Sequence, residues 1–147
     1  MMGSFLKECK ILSIENSVDA GKATIVGEIV DTAGFDGACF IYKLGAVTDG
    51  AAVTLKVYQD SAVGFAAPAE LSGAAAAIAT TATDGEQMLV IDVVKPRERY
   101  LRPTIVTATQ DVGIDSAICI LYNPDVKPIT QPATVDASTL VVSPAEV

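Results

Sequence analysis

Short segments in which apolar and polar residues alternate, separated by turn-forming residues, most strongly constrain the fold of this chain. Residues 53–58 (VTLKVY) and 87–93 (QMLVIDV) both alternate with a period of two. Because successive side chains of a β-strand point to opposite faces, this period predicts strands with one apolar and one polar face. The residues predicted to face the core are Val53, Leu55, Val57, Leu89, Ile91 and Val93.

Other segments are more uniformly apolar. Residues 23–30 and 38–44 alternate less strictly and are predicted to be strands that are covered on both sides. Residues 116–122 (SAICILY) are apolar on both faces, which predicts either a central strand or a strand in a subunit contact. A proline and a glycine interrupt the alanine-rich residues 61–80, so we predict a loop followed by a strand of small residues there, with a short helix as the alternative.

Turn-forming residues separate these segments at intervals of about a dozen residues. Glycine next to aspartate supplies the positive φ that tight connections require. Seven or eight strands at this spacing, without any long helical period, predict an all-β fold, either an antiparallel β-sandwich or a jelly roll. The predicted turns are residues 19–21, 34–37, 48–50, 83–85 and 110–113.

The chain changes character after residue 122. Residues 123–147 contain four prolines among threonine, valine and alanine, and this density excludes both helix and central strand. We predict a β-sandwich domain over residues 1–122, with residues 1–10 as a candidate flexible N-terminus, followed by an extended C-terminal arm. An apolar patch in the arm either docks as an edge strand on a neighbouring subunit or belongs to a flexible tail. The patch consists of Leu140, Val141 and Val142.

The net charge of −8 disfavours nucleic acid and anionic membranes as partners, since both usually require a basic surface. No apolar stretch approaches the roughly 20 residues that cross a bilayer. The N-terminal residues lack the apolar region of a signal peptide. Three widely spaced cysteines are typical of small core residues in a protein made in a reducing cytoplasm.

Residues for common catalytic mechanisms are missing. The sequence has no histidine, which excludes Ser–His and Cys–His nucleophilic mechanisms. The aspartates of residues 31–36 and 111–115 lack the dense oxygen spacing of a calcium loop, so ordinary β-turns explain them better. There is no tryptophan, and few tyrosines are present on which a sugar could stack. We therefore predict no enzymatic activity, no cofactor and no metal site.

All three arginines lie close together in the segment KPRERYLRP. If residues 98–106 form a strand, Arg102 shares one face with Tyr100, whereas Arg97 and Arg99 lie on the other. Arginine on both faces predicts that at least one guanidinium is partly buried against a carboxylate or backbone carbonyls. We interpret the cluster as a structural or interface element in preference to a ligand site.

Two stretches together resemble a known group of proteins. IVDTAGFDG (residues 29–37) precedes DVVKPRERYLRP (residues 92–103), and each is followed by an apolar strand. This order resembles small structural proteins encoded in the head-gene region of tailed bacteriophages and prophages, in which a DTAGFDG-like turn precedes a (K/R)P…RY(L/V)RP strand. The resemblance covers residues 23–122 and leaves the arm outside.

The resemblance implies a virion component, a capsid decoration (cement) protein on the outside of the shell, made in the cytoplasm of a bacterial host. Jelly-roll or sandwich homotrimers are frequent in that role, and the implied partners are the major capsid protein and further copies of the chain. The alternatives are another virion part, such as a head fibre, a neck or connector protein or a tail protein, and a receptor- or carbohydrate-binding module. The last alternative requires exposed aromatic residues on loops, for which Phe35, Tyr58 and Phe65 are available.

Overall fold

The computed structural model describes residues 3–81, 85 and 87–143, and almost all of its regular structure is antiparallel β-sheet. This confirms the predicted all-β fold. No helix in these residues is long and apolar enough to cross a membrane. The elements are α1 (Phe5–Glu8), β1 (Lys10–Glu15), β2 (Val18–Val26), β3 (Val30–Asp31), β4 (Phe35–Val47), β5 (Ala52–Asp60), β6 (Ala69–Ala79), β7 (Met88–Val94) and β8 (Tyr100–Pro124).

Strand β8 organises the fold because it is paired on both sides. Its first part, residues 100–108, lies between β5 and β2, and β3 continues the β2 side. Its second part, residues 112–124, lies between β4 and β1. β6 pairs with the other edge of β5, and β7 pairs with the other edge of β4. The result is two connected layers, β6-β5-β8-β2 (the first sheet) and β7-β4-β8-β1 (the second sheet), as expected of a β-sandwich or jelly roll.

The inner faces of the two sheets form one hydrophobic core. All six residues that the alternation predicted to face inward do so: five are buried, and Val93 packs against them. Burying one aliphatic side chain of this size stabilises the fold by about 1.5–3 kcal/mol. Among the largest fully buried side chains are Tyr42, Phe40, Ile14, Leu44, Leu55 and Leu101.

The predictions for the apolar segments had mixed outcomes. Residues 38–44 and 116–122 lie in β4 and β8, where both are central strands. Residues 61–80 form a loop followed by the small-residue strand β6, not a helix. The prediction for residues 23–30 was wrong, because β2 ends at Val26 and leaves most of its residues exposed or half-buried. β2 lies at the edge of the first sheet, where its outer side meets solvent.

Two predicted turns are present. In residues 48–50, Gly50 has a φ of 81°, which only glycine adopts easily. In residues 34–37 only the beginning is a turn: Gly34 has a φ of 85°, and β4 starts directly after it. Of the predicted turn at residues 83–85, Thr83 and Asp84 lie outside the described residues.

The other two predicted turns, residues 19–21 and 110–113, were wrong because both lie inside strands, in β2 and β8. The two segments face each other with shifts of register, and Thr109 has a positive φ of 70°. Such bulges bend a strand without ending it. Gly113 permits a close approach, since a Cβ there would lie 3.1 Å from the carbonyl oxygen of Val18. β8 therefore passes from one sheet to the other as a single strand.

The C-terminal arm begins where β8 ends, at Pro124, and residues 125–143 contain no helix or strand. Its first part folds back on its own chain. Ile129 and Gln131 form hydrogen bonds with backbone atoms of residues 6–11, of 2.6–3.1 Å. One of these is donated by a backbone amide of β1 to the Gln131 side chain, so the arm is tied to the free edge of β1.

Candidate functional site

The arginine segment lies at the end of the sandwich where β3, β5 and β7 end and β8 begins. Arg99 forms a bidentate ion pair with Asp31, in which its Nε and Nη2 each donate to a carboxylate oxygen at 2.8 Å. The hydrogen bonds and the opposite charge lower the pKa of Asp31 and raise the pKa of Arg99. Both side chains remain about half exposed, so solvent screens the attraction and the pair acts mainly by fixing geometry.

Arg102 has a different environment. Its guanidinium lies over the ring of Phe65, with Cζ 4.4 Å from the ring centroid. Its Nε is buried and has no hydrogen-bond partner among the described residues. Stacking of a cation on an aromatic ring stabilises by about 0.5–2 kcal/mol. The prediction combined partial burial and a carboxylate or carbonyl partner in one guanidinium. In the structure these two properties belong to different residues: Arg99 binds a carboxylate but stays exposed, whereas Arg102 is half-buried against an aromatic ring.

The loop between β5 and β6 presents Phe65 to Arg102. Asp60, at the end of β5, accepts hydrogen bonds from the backbone amides of Ala62 and Ala67, both at 2.9 Å. These bonds hold the pKa of Asp60 below its usual value. The loop is thereby closed into a compact turn in which Phe65 is only 5% exposed.

β8 begins at Tyr100, so Arg97 and Arg99 lie in the connection from β7 to β8 and not on a strand. The prediction that they lie on the strand face opposite Arg102 was therefore wrong. The backbone at Lys95 has a positive φ of 50°, and the connection crosses from one sheet to the other. Arg99 lies over the Tyr100 ring, 5.1 Å from its centroid. Arg97 is exposed and has no ion-pair partner in the described part of the chain.

The two stretches that carry the phage resemblance meet at this end of the sandwich. Besides the Asp31 ion pair, the carbonyl of Arg99 accepts two hydrogen bonds from Thr32, at 2.9 Å from the backbone amide and 2.7 Å from the hydroxyl. The amide of Lys95 donates to the carbonyl of Asp36 at 2.6 Å. The DTAGFDG turn and the KPRERYLRP segment therefore form one connected unit.

The outer face of the second sheet is apolar well beyond residues 116–122, the one segment for which the sequence left a subunit contact open. The strand register places Ile41 between Val90 and Ile118, and Cys39 and Ile120 in the next row. The only sequence signal was that residues 116–122 are apolar on both faces. A contiguous exposed apolar surface normally marks an interaction site. This surface, the apolar face, comprises Ile11, Cys39, Ile41, Met88, Val90, Val94, Ile118 and Ile120, with Met88, Val90 and Val94 exposed by 60%, 49% and 63%.

Charged side chains at the apolar face have partners within the chain. At one end Lys43 forms an ion pair with Asp115 at 2.8 Å. Near the other end Asp92 accepts a hydrogen bond from the hydroxyl of Tyr122 at 2.7 Å. Partial burial and this bond raise the pKa of Tyr122. The ring lies across Gly37, where a Cβ would fall 2.0 Å from a ring carbon.

The arm patch is exposed. Leu140, Val141 and Val142 have exposed fractions of 46%, 62% and 86% and belong to no strand. Their docking on a neighbouring subunit stays a prediction.

Open clefts, which we call seams, separate the edges of the two sheets. One cavity, of about 410 Å³, lies between β1 and residues 28–30, beside Thr134 of the arm. Another, of about 300 Å³, lies between residues 71–74 of β6 and residues 91–94 of β7. Within the described residues, no group of three or more aspartate, glutamate or cysteine side chains is arranged to hold a metal ion.

The aromatic residues that a carbohydrate site would need are not displayed on loops. Phe65 is buried against Arg102, and Phe35 and Tyr58 are half-buried. A sugar ring stacks on an exposed aromatic face, so these three residues offer little surface for one.

No family model and no curated protein matches this chain. The solved structures that are similar in part include the following two. A chain in the structure of infectious bursal disease virus, Gt strain, is 12% identical with a TM-score of 0.48 over 82% of this chain and 35% of that chain, so this chain spans well under half of its length. The carbohydrate-binding module CBM6cm-2 from Cellvibrio mixtus lichenase 5A, in complex with cellotriose, is 13% identical with a TM-score of 0.33 over 77% and 96% of the respective chains. We draw no functional conclusion from either match.

Proposed function

We propose that this chain is a structural protein of a virion, specifically a capsid decoration (cement) protein that binds the outer surface of the head. The observation that carries the proposal is the contact between the two stretches that resemble phage head proteins. Asp31 and Thr32 of the first stretch bind Arg99 of the second. Two separate pieces of the sequence pattern thus act as one framework unit, which supports a common origin of the pattern over coincidence.

The surfaces of the chain suit this role. A cement protein has to bury area against neighbours at many equivalent positions of a lattice, and the apolar face and the exposed arm patch both offer such area. Binding at many sites gains from avidity, so each contact can be weak. The major capsid protein is the proposed partner, together with further copies of the chain in a homotrimer on the capsid exterior.

The arginine cluster has a framework role in this proposal. Arg99 and Arg102 hold the start of β8 against the turn after β3 and the loop after β5, and Tyr100 lies between them. The exposed Arg97 is the member of the cluster that remains available for an intersubunit carboxylate. The cluster therefore supports the sandwich end and leaves the apolar face for contacts.

Cryo-electron microscopy of purified particles that contain the chain tests the proposal. We expect density for the sandwich on the outside of the shell, at many copies per particle. Particles without the chain should open at a lower temperature than complete particles. Density at the neck, the tail or a head fibre would favour another virion role, and unchanged heat resistance would contradict the cement function.

A further inference from the structure

We propose that residues 139–142 of one copy add as an edge strand to β7 of a second copy of this chain. The inference rests on the self-association in the proposed function and names the two surfaces that meet. The donor is the arm patch, and the acceptor is the free edge of β7 together with the apolar face beside it.

The donor needs apolar surroundings on both sides. In an extended strand, Leu140 and Val142 point to one face and Val141 points to the other. A continuous apolar run of this kind is typical of strands that are covered on both faces. In the single chain all three residues are instead exposed and form no strand.

Of the edges of β1, β6 and β7, that of β7 fits best. The edge of β1 is already used by Gln131 and by a 3.0 Å hydrogen bond from the amide of Glu28 to the carbonyl of Ile14. β6 carries mainly alanine and is interrupted by Gly73, which has a φ of 80°. β7 pairs with β4 in unbroken register, and its other edge opens on the 300 Å³ seam.

Apart from Asp92 on the outer side, the edge of β7 is apolar on both sides of the sheet. Val90 and Val94 lie on the outer side and are exposed. On the inner side, Ile91 and Val93 line the seam opposite Leu71 of β6. An added strand would therefore place Leu140 and Val142 beside one apolar row and Val141 beside the other.

The area of the apolar face points to a second copy that also contributes its arm, because the contact has to overcome the repulsion between two acidic chains. Two chains with a net charge of −8 repel each other, and at the apolar face the charges of Lys43 and Asp92 already have partners. Four strands about 4.8 Å apart and seven residues long cover roughly 400 Å², whereas a stable interface buries about 800 Å² per partner. The face alone is too small, and the arm supplies part of the remainder.

In the single chain the arm patch forms no strand with β7. The arm is tied to β1, whereas β7 forms the opposite edge of the same sheet, about three strand spacings or 14 Å away. A donor at one edge and an acceptor at the other make a heterologous contact, which closes into a ring when repeated by rotation. A trimer is one such ring.

Disulfide trapping tests the contact directly. In a Cys39→Ser background, which removes the thiol next to β7, a chain with Val90→Cys is mixed with a chain with Leu140→Cys. We expect a covalent dimer that contains one chain of each kind. The matched control replaces Val90→Cys by Ala77→Cys on the exposed edge strand β6, where no link should form. Equal linking in both mixtures, or in neither, would overturn the proposal.

Native mass measurements provide the second readout. The full chain should form an oligomer, and both Val90→Lys and a chain that ends at residue 138 should be folded monomers, whereas Ala77→Lys should assemble normally. A full chain that is a monomer contradicts the inference. These measurements use no capsid, so they are independent of the particle experiment. Strand exchange in a chain located in the tail would refute the cement function alone. A monomer on the capsid exterior would refute the strand exchange alone.

Discussion

The two outer faces of the sandwich differ, although the sheets beneath them are built alike. On the first sheet, neighbouring strands pair Lys56 with Thr104 and Tyr58 with Arg102. At the corresponding place on the second sheet, Ile41 lies beside Ile118. The outer face of the first sheet, the polar face, comprises Thr54, Lys56, Tyr58, Tyr100, Arg102 and Thr104, together with the apolar Val26 and Val106.

The difference distinguishes apolar residues that stabilise the single chain from apolar residues that are available for contacts with other chains. Both sheets contribute to one core, so the inner faces already supply the burial that stabilises the fold. Apolar residues on an outer face add little to a monomer and lower its solubility. The apolar face therefore points to a partner, whereas the polar face is completed by its own loop and arginine stack.

The largest expected effect tests whether the inner faces of the two sheets contribute equally to stability. Leu55→Ala in the first sheet and Leu44→Ala in the second both remove a fully buried side chain. Each should lower the free energy of unfolding by about 2–5 kcal/mol, through lost transfer energy and a cavity. Chemical denaturation measures both. A much smaller loss in one sheet would show that the two layers do not share a core equally.

Period-two alternation could be read from the sequence because each strand carries it locally. The inward orientation of Val53, Leu55 and Val57 could be predicted without knowing which strands lie beside them. The bend at residues 110–113 could not be predicted, since aspartate and glycine favour a turn and a bulge alike, and pairing with β2 decides between them. The apolar face was missed for a similar reason: residues 116–122 are apolar on both faces whether the outer side is covered or open. A partly buried guanidinium was expected against a carboxylate or backbone carbonyls, and the stacking of Arg102 on Phe65 could not be predicted because Phe65 lies in a distant loop.

The next largest effect concerns the polar face. Phe65→Ala should destabilise the chain by about 3 kcal/mol, because a nearly buried ring is removed. Arg102→Ala should cost about 1 kcal/mol, and a double-mutant cycle should give a coupling of about 0.5–2 kcal/mol between the two residues. Denaturation of the four proteins measures the cycle. Strict additivity would mean that the stack does not complete the polar face.

Acidification should loosen the arginine end of the sandwich before the apolar face. Asp31 and Asp60 have folded-state pKa values below the usual 3.8, owing to Arg99 and to backbone amides respectively. Their contribution to stability is therefore present above pH 3.8 and is lost as the pH falls through the lower folded-state values. NMR titration of the amides of residues 61–68 should follow this loss. Asp60→Asn should remove the pH dependence in that loop, and an unchanged titration would contradict the assignment.

Exchanging apolar and polar residues between the two outer faces should have the smallest effect on monomer stability and the clearest effect on self-association. Thr104 and Ile118 occupy outward positions in the two parts of β8, so Thr104→Ile and Ile118→Thr exchange the character of the two faces. Each should change the free energy of unfolding of the monomer by about 0.5 kcal/mol or less, as most surface substitutions do. Ile118→Thr should weaken self-association, because a hydroxyl in the middle of the apolar face loses its hydration without gaining a partner. Thr104→Ile should leave the specific oligomer intact. Sedimentation at several concentrations separates the two cases, and equal weakening by both substitutions would mean that the apolar face is no more a contact surface than the polar one.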